Sequence, residues 1–157
     1  MIEVEGLEAL LAKLESMGGN ADIAIEKGTR SAAGLVRDFA KMNCPADTGD
    51  LRASIHSDYK RDGDTHTGIV GTNKEHAAYV EFGTGPAGHG TYPYPVSGLH
   101  YKVDKWRAVV PGVGVRWVSG QAAQPYLYPA LRDNKEEILK RYENAITREI
   151  IKAAKND

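Results

Sequence analysis

The triplet Asp47-Thr48-Gly49 is the stretch whose residue types could most directly do chemistry. In an aspartic protease, Asp-Thr-Gly ends a hydrophobic strand, and two such aspartates share a proton and activate a water. With one copy per chain, such an enzyme would have to be a dimer. Here the triplet follows Pro45 and precedes a second charge, Asp50. We therefore interpret it as a structural turn made by Asp47 and Gly49, with a dimeric aspartic protease-like enzyme as the alternative.

A second sequence with possible chemistry is Gly83-Thr84-Gly85-Pro86-Ala87-Gly88, which formally matches the dinucleotide-binding fingerprint. That fingerprint needs its third glycine inside a helix whose N-terminus binds the pyrophosphate. Alternating Tyr and Pro residues at 92–95 argue against a regular helix here. We interpret 83–97 as an irregular loop and predict no cofactor.

The metal-binding and nucleophilic residue types are present but poorly arranged. Cys44 is the single cysteine, so that the chain can form no intrachain disulfide and no multi-thiolate metal site. Its position before Pro45 predicts a small residue buried at a helix end. No pair of histidines has the spacing that metal sites use. We predict no metal site and no catalytic residue. The histidines are His56, His66, His76, His89 and His100.

Basic and aromatic residues alternate through the segment 101–117, which predicts a contact surface. Such a surface could stack on bases and touch a nucleic-acid backbone, or it could bind protein, since Trp, Tyr and Arg are enriched at interfaces. Asp104 and the near-neutral chain favour the protein interface, and a nucleic-acid-binding accessory protein is the second alternative. The predicted interface residues are Tyr92, Tyr94, Tyr101, Trp106, Arg107, Arg116 and Trp117.

Composition limits the class of protein. The chain has 157 residues, 41% of them hydrophobic and 26% charged, as in an ordinary single globular domain. Its net charge of −1 favours neither nucleic acid nor a membrane surface. The N-terminus lacks the pattern of a signal peptide, and no apolar run reaches the ~20 residues that span a bilayer. We expect a soluble product of a cytoplasm.

Hydrophobic periodicity predicts two N-terminal helices, over 5–17 and 20–43. Asn20 is a candidate N-cap of the second helix, and the residue before Pro45 is disfavoured in a helix. Small residues at Gly28 and Gly34 predict close packing by another helix. Alternation then predicts strands over 51–60 and 65–72, joined at Asp62-Gly63. Residues 76–82 fit either a strand or a helical turn closed by Gly83, and we favour the turn.

The second half predicts an insertion and a long final helix. Residues 84–120 form a loop followed by a hairpin that turns at Pro111-Gly112, and 125–154 form the helix. The whole chain, 1–157, is then one α+β domain. We expect an antiparallel sheet of about four strands packed against the long N-terminal and C-terminal helices.

Three motifs occur in order along nearly the whole chain, and together they resemble a known family. The first is Pro-x-Asp-Thr-Gly-x-Leu-x-x-Ser-Ile, the second Tyr-x-Glu-x-Gly-Thr, and the third Gln-Pro-(aromatic)-Leu-x-Pro-Ala. This pattern is similar to the small tail-component or neck proteins of long-tailed double-stranded DNA phages, a family named after a Hong Kong lambdoid phage. The motif residues are Pro45, Asp47, Thr48, Gly49, Leu51, Ser54, Ile55, Tyr79, Glu81, Gly83, Thr84, Gln124, Pro125, Leu127, Pro129 and Ala130.

The resemblance implies a non-enzymatic structural part of a phage or prophage virion, assembled in the bacterial cytoplasm. It implies a role at the head–tail junction or in tail completion. The subunit would form a homo-oligomeric ring that binds head-completion or connector proteins and tail-terminator or tail-tube proteins. DNA would be present only as contents of the lumen, and no membrane is involved. The insertion 84–120 is longer than the connection expected in relatives, so its role is not implied by the resemblance.

Overall fold

A computed structural model gives the fold of residues 6–46 and 49–156. The motif residues Asp47 and Thr48, and the start of the helix predicted over 5–17, lie outside these described residues. In chain order the elements are α1 Leu7–Ser16, α2 Ala21–Asn43, α3 Asp50–Ser54, β1 His56–Asp62, β2 Thr65–Gly71, α4 Ala77–Phe82, α5 Gly85–Gly88, β3 Trp106–Val110, β4 Gly114–Val118, α6 Leu127–Arg132 and α7 Lys135–Ala154.

The long helix α2 is the centre of the fold. The Asn20 side chain accepts a hydrogen bond from the backbone N–H of Ile23 at 3.2 Å, which confirms the predicted N-cap. Cys44 ends the helix in an extended conformation, as expected before Pro45. At Gly28, an added Cβ would lie 2.5 Å from the ring of Tyr142 in α7. A glycine is therefore what lets α7 pack this closely on α2.

Two apolar clusters hold the helices together. The larger joins α2 to α3, α4, α6 and α7, and the smaller joins α1 to the same two long helices through Leu14, Ala24 and Ile146, all fully buried. The larger cluster consists of Ala32, Val36, Ala40, Cys44, Leu51, Ile55, Ala77, Tyr126, Ala130 and Ile138. Neither cluster includes a residue of the insertion 84–120.

The expected single sheet of about four strands is not found in the described residues, which contain two separate two-stranded antiparallel sheets. β1 pairs with β2 from His56↔Gly71 to Asp62↔Thr65, and this hairpin packs on α2. β3 pairs with β4 from Trp106↔Val118 to Val110↔Gly114. The two hairpins do not meet because the second belongs to the insertion, outside the helical core.

Two predicted elements have different boundaries in the structure. The strand predicted over 51–60 is wrong for its first part, because residues 50–54 form the short helix α3. Leu51 and Ile55 are both buried and lie four residues apart, a spacing that fits a helical turn as well as alternation. The helix predicted over 125–154 is interrupted after Arg132, where Asn134 donates a side-chain hydrogen bond to the carbonyl of Ala130 in α6.

The ambiguous segment 76–82 is helical, as favoured, and forms α4 with Gly83 at its end. Within the described residues, no helix combines the length and apolar character that crossing a membrane requires.

Candidate functional site

The second and third motifs meet at the buried carboxylate of Glu81, which is 3% exposed. Glu81 lies near the end of α4, and its two oxygens face the start of α6. They accept hydrogen bonds from the backbone N–H groups of Tyr126, Leu127 and Tyr128 at 2.7, 2.9 and 3.1 Å. A helix leaves its first N–H groups without intrahelical partners, and the positive end of its dipole favours an anion. Glu81 therefore satisfies the N-terminus of α6.

The same two segments are joined by further hydrogen bonds from Gln121 and Gln124 to the backbone of α4. The backbone N–H of Gln124 donates to the carbonyl of Val80 at 2.8 Å, and the Gln121 side-chain amide donates to the carbonyl of Tyr79 at 3.0 Å. Residues 121–128 thus donate hydrogen bonds both to the backbone carbonyls of α4 and to its Glu81 side chain. We call this set of contacts around Glu81 the clasp.

The clasp continues into a pair of residues at the base of the insertion. Thr84 and Gln121 form an isolated antiparallel bridge, with N···O distances of 2.9 and 3.0 Å. Close backbone approach here requires glycine, because a Cβ on Gly120 would lie 1.8 Å from the Thr84 carbonyl oxygen. Gly85 and Gly120 both have positive φ, 64° and 83°. The insertion therefore starts and ends at hydrogen-bonded neighbours.

The first motif is a separate structural corner where α2 turns into the β1–β2 hairpin. Gly49 has a φ of 79°, which supports its predicted role as the residue with an unusual backbone angle. The Arg52 guanidinium donates to the carbonyl of Cys44 at 2.8 Å, and the hydroxyl of Ser54 lies 2.5 Å from that of Thr72. The corner is thus fixed by side chains of α3, and it lies apart from the clasp in the chain.

Four of the seven predicted interface residues are half-buried against their own chain. The Tyr92 hydroxyl lies 3.5 Å from Glu81, and burial, with the Glu81 charge second, raises the pKa of Tyr92 to about 12. The Tyr101 hydroxyl donates to the carbonyl of Phe82 at 2.7 Å. Tyr94 packs on the ring of Tyr128, and the Lys102 ammonium lies over the ring of Trp106. These aromatic residues hold the loop onto the clasp.

The other three predicted interface residues, Arg107, Arg116 and Trp117, are exposed on β3 and β4. Cross-strand neighbours share a face of an antiparallel pair, so Arg107–Trp117 and Val109–Val115 form one face. Val109 is 76% exposed and Trp117 is 68% exposed. We call this projecting hairpin, residues 106–118, the arm. It presents an apolar face that the described part of its own chain leaves uncovered.

One arrangement with the geometry of an acid–base relay was not anticipated. His66 Nε2 lies 3.0 Å from the Asp22 carboxylate, and His66 Nδ1 lies 2.6 Å from the Tyr59 hydroxyl. Arg61 donates to the same aspartate, and the Arg30 guanidinium lies 3.9 Å above the Tyr59 ring. Desolvation raises the pKa of Tyr59, the opposite of what a nucleophilic phenolate needs. The cluster is better suited to fixing the β1–β2 hairpin on α2.

The register of the hairpin could have revealed this cluster. Tyr59 pairs with Gly68 and Arg61 with His66, so that Tyr59 and His66 are diagonal neighbours on the same face.

For the remaining candidate chemistry, Cys44 is buried and burial raises the pKa of its thiol, which makes it a poor nucleophile. Among residues 6–46 and 49–156, no group of three metal-ligating side chains comes together.

Comparison with known proteins agrees with the resemblance seen in the motifs. Residues 8–83 match the sequence model of a family described as "Bacteriophage HK97-gp10, putative tail-component". The match covers the first two motifs up to Gly83 and ends where the insertion begins. Among curated proteins and among solved structures, none matches the chain.

The matched segment holds α1 to α4, and it therefore includes Glu81 but not the backbone donors that Glu81 binds. The third motif and the arm lie outside the match. Over residues 8–83, the chain is therefore similar to the HK97-gp10-like family of bacteriophage tail components.

Proposed function

We propose that this protein is a non-enzymatic structural subunit of a phage or prophage virion that completes the neck or the tail end. In this role it assembles as a homo-oligomeric ring and binds head-completion or connector proteins on one side and tail-terminator or tail-tube proteins on the other. The observation that supports the proposal is the division of the chain into a clasped body and a projecting arm with an uncovered apolar face.

A subunit of a ring needs a rigid body and surfaces that become buried only on assembly. The clasp and the two core clusters provide rigidity. Val109, Val115 and Trp117 provide an apolar surface that a monomer leaves in water, and such surfaces commonly mark interaction sites. Arg107 on the same face adds the residue type that interfaces favour.

The alternatives receive less support. The residues that would carry a protease, Asp47 and Thr48, lie outside the described residues, and Gly49 leads into a helix rather than ending a strand. For a nucleic-acid-binding accessory protein, the arm would have to present a basic face. Its exposed face instead combines one arginine with two valines and a tryptophan.

The test removes the gene from a phage or prophage that encodes it and complements it with variants. We expect particles without the protein to accumulate as unjoined heads and tails, visible by electron microscopy, and to lose infectivity by several orders of magnitude. The informative variant deletes Pro86 to Ser119. It joins Gly85 to Gly120, two glycines with positive φ, as a two-residue turn between the paired Thr84 and Gln121.

We expect this deletion variant to keep its helical circular dichroism and to fail in complementation. A gene deletion that leaves head–tail joining and infectivity intact would overturn the proposed function. Full complementation by the deletion variant would show that the insertion is not a contact element.

A further inference from the structure

A groove of about 470 Å³ runs beside β2, with α2 as its floor and α7 as its far wall. Three residues of α2 contact β1, β2 and α7 in turn around the helix. Arg37 contacts Ser57 of β1, Ala33 lies under Gly68 of β2, and Gly28 contacts α7. The groove occupies the interval between β2 and α7. Its lining is almost entirely apolar: Leu7, Ile25, Thr29, Ala32, Ala33, Val36, Gly68, Val70, Leu131, Ile138, Leu139 and Tyr142.

The side of β2 that faces this groove is a free sheet edge. β2 pairs with β1 alone, and no described residue outside the hairpin makes a backbone hydrogen bond to Thr65–Gly71. A free edge presents N–H and C=O groups that can pair with another strand, and proteins usually block such edges with Lys, Pro or a covering element. The sequence Thr-His-Thr-Gly-Ile-Val-Gly contains neither residue type. β2 is thus an unprotected edge beside an apolar groove.

The arm is the complementary element. Among the residues that the structure describes, β3 and β4 pair only with each other, so each has a free edge. An isolated two-stranded hairpin is marginally stable in water. The arm's exposed face carries Val109, Val115 and Trp117, which need an apolar surface to cover them. Residues 102–118 contain four basic residues and one acidic residue, whereas the rest of the chain contains sixteen basic and twenty acidic residues. The segment therefore has a charge of +3 against −4 elsewhere.

We propose that β4 of one copy pairs with the free edge of β2 in the next copy and places Val115 and Trp117 in its groove. The two small sheets would then form one four-stranded intermolecular sheet, in the order β1–β2–β4–β3. Because donor and acceptor are different surfaces of the same chain, the contact is head-to-tail and generates a ring if its rotation closes. The inference rests on the proposed self-assembly and specifies the surfaces that carry it.

Disulfide cross-linking between two variants, each with one added cysteine, tests this pairing. Gly68 faces α2, so Thr67 and Ile69 face away from it, and Arg116 lies on the face of the arm opposite Trp117. In the proposed sheet, Arg116 of one copy comes beside Thr67 or Ile69 of the next. Lys60 pairs with Thr67 across the hairpin and faces the same side, but it lies on β1, one strand farther away. Lys60→Cys is the matched control.

We expect Arg116→Cys mixed with Thr67→Cys or Ile69→Cys to give a covalent dimer on mild oxidation, at least tenfold more than with Lys60→Cys. The measurement is made on purified particles and on the concentrated protein, with the native protein, whose Cys44 is buried, as background. Particles that contain the protein but show no excess over Lys60→Cys would overturn the pairing and leave the proposed function standing. Cross-linking of Arg116→Cys to a tail protein instead would also overturn it.

Infective particles that lack the protein would overturn the proposed function. Cross-linking of the concentrated protein would then be the test of the pairing.

A second readout uses Trp117 fluorescence in a Trp106→Phe background. Its emission should shift to shorter wavelength when the protein self-associates, because an exposed indole becomes buried. Association without that shift would contradict the placement of Trp117 in the groove.

Discussion

The body of this protein, which consists of the two apolar clusters and the clasp, differs from the arm in how its polar and apolar groups are covered. In the body, a carboxylate is buried at 3% exposure and receives three backbone hydrogen bonds. In the arm, a tryptophan and a valine are 68% and 76% exposed. Burying a charge is costly unless it is fully bonded, and exposing an apolar face is costly unless something covers it. In the body, contacts within one chain satisfy the buried charge. The exposed apolar face of the arm needs a second chain to cover it.

Glu81→Ala should cause the largest loss of stability, because it leaves three N–H groups of α6 without an acceptor. Each buried donor left unsatisfied costs about 1–3 kcal/mol, so we expect the free energy of unfolding to fall by about 3 kcal/mol or more. Denaturant titration measures this. Glu75→Ala is the control, since Glu75 is exposed and forms no ion pair with a described residue. Equal losses in the two variants would contradict the clasp.

Gly120→Ala should give the next largest effect, at the boundary between body and arm. Its Cβ would lie 1.8 Å from the Thr84 carbonyl oxygen, so the bridge that closes the insertion must shift. We expect the free energy of unfolding to fall by about 2 kcal/mol or more. This is more than the ~1 kcal/mol that a positive φ alone costs an alanine. Gly112→Ala isolates that smaller cost, because Gly112 has a φ of 76° and open space around it.

Alkaline pH should lower the stability of the protein through two tyrosines, the buried Tyr126 and the half-buried Tyr92. Burial raises the pKa of Tyr126 in the body and of Tyr92 in the insertion to about 12, from 10 in the unfolded chain. Between pH 10 and 12 the unfolded chain loses these protons first, so stability is intact below pH 10 and falls as the pH rises toward 12.

Unfolding titrations at pH 9 and pH 11 measure this effect. Tyr92→Phe should make the fall shallower. Tyr128→Phe, which removes the hydroxyl of a neighbouring tyrosine, is the control variant. An unchanged slope in Tyr92→Phe would show that Tyr92 is not packed on the clasp in solution.

Trp117→Ser should have the smallest effect on the monomer and a large one on assembly. Because the side chain makes little contact with its own chain, we expect the free energy of unfolding to change by less than about 0.5 kcal/mol. Self-association and complementation should be lost. Tyr101→Phe, which removes a hydroxyl bonded within the chain, should show the opposite pattern. A large loss of monomer stability in Trp117→Ser would remove the distinction between body and arm.

The parts of the fold that followed from sequence are those fixed by local chemistry. Asn20 as a cap and Pro45 as a helix limit each act over a few residues. The hairpin turn predicted at Asp62-Gly63 lies one residue later, at Gly63-Asp64, because Asp62 still pairs with Thr65. The family was likewise identified from short motifs, and the match over residues 8–83 confirms it. Local signals also supported helix α4, where a strand was the competing interpretation.

The misses involve packing between distant segments. Leu51 and Ile55 are both buried, a pattern that fits the predicted strand and the observed helix equally well. The partners of Glu81 lie 45 to 47 residues away, beyond any periodicity. The aromatic loop residues were predicted to be an interface because of their composition, and this stays a prediction. The contacts of Tyr92 and Tyr101 with their own chain were not foreseen. Composition does not distinguish contacts within a chain from contacts between chains.

The separation of Glu81 from its donors has a consequence for how the protein is made. During synthesis Glu81 leaves the ribosome before the insertion, and its three donors leave after it. Until then α4 carries a carboxylate that cannot be buried without a large desolvation penalty. A chain that stops within the insertion lacks these donors, and it also lacks Tyr126, Ala130 and Ile138 of the larger apolar cluster. The larger cluster can therefore be completed only after α6 and the start of α7 have been synthesised.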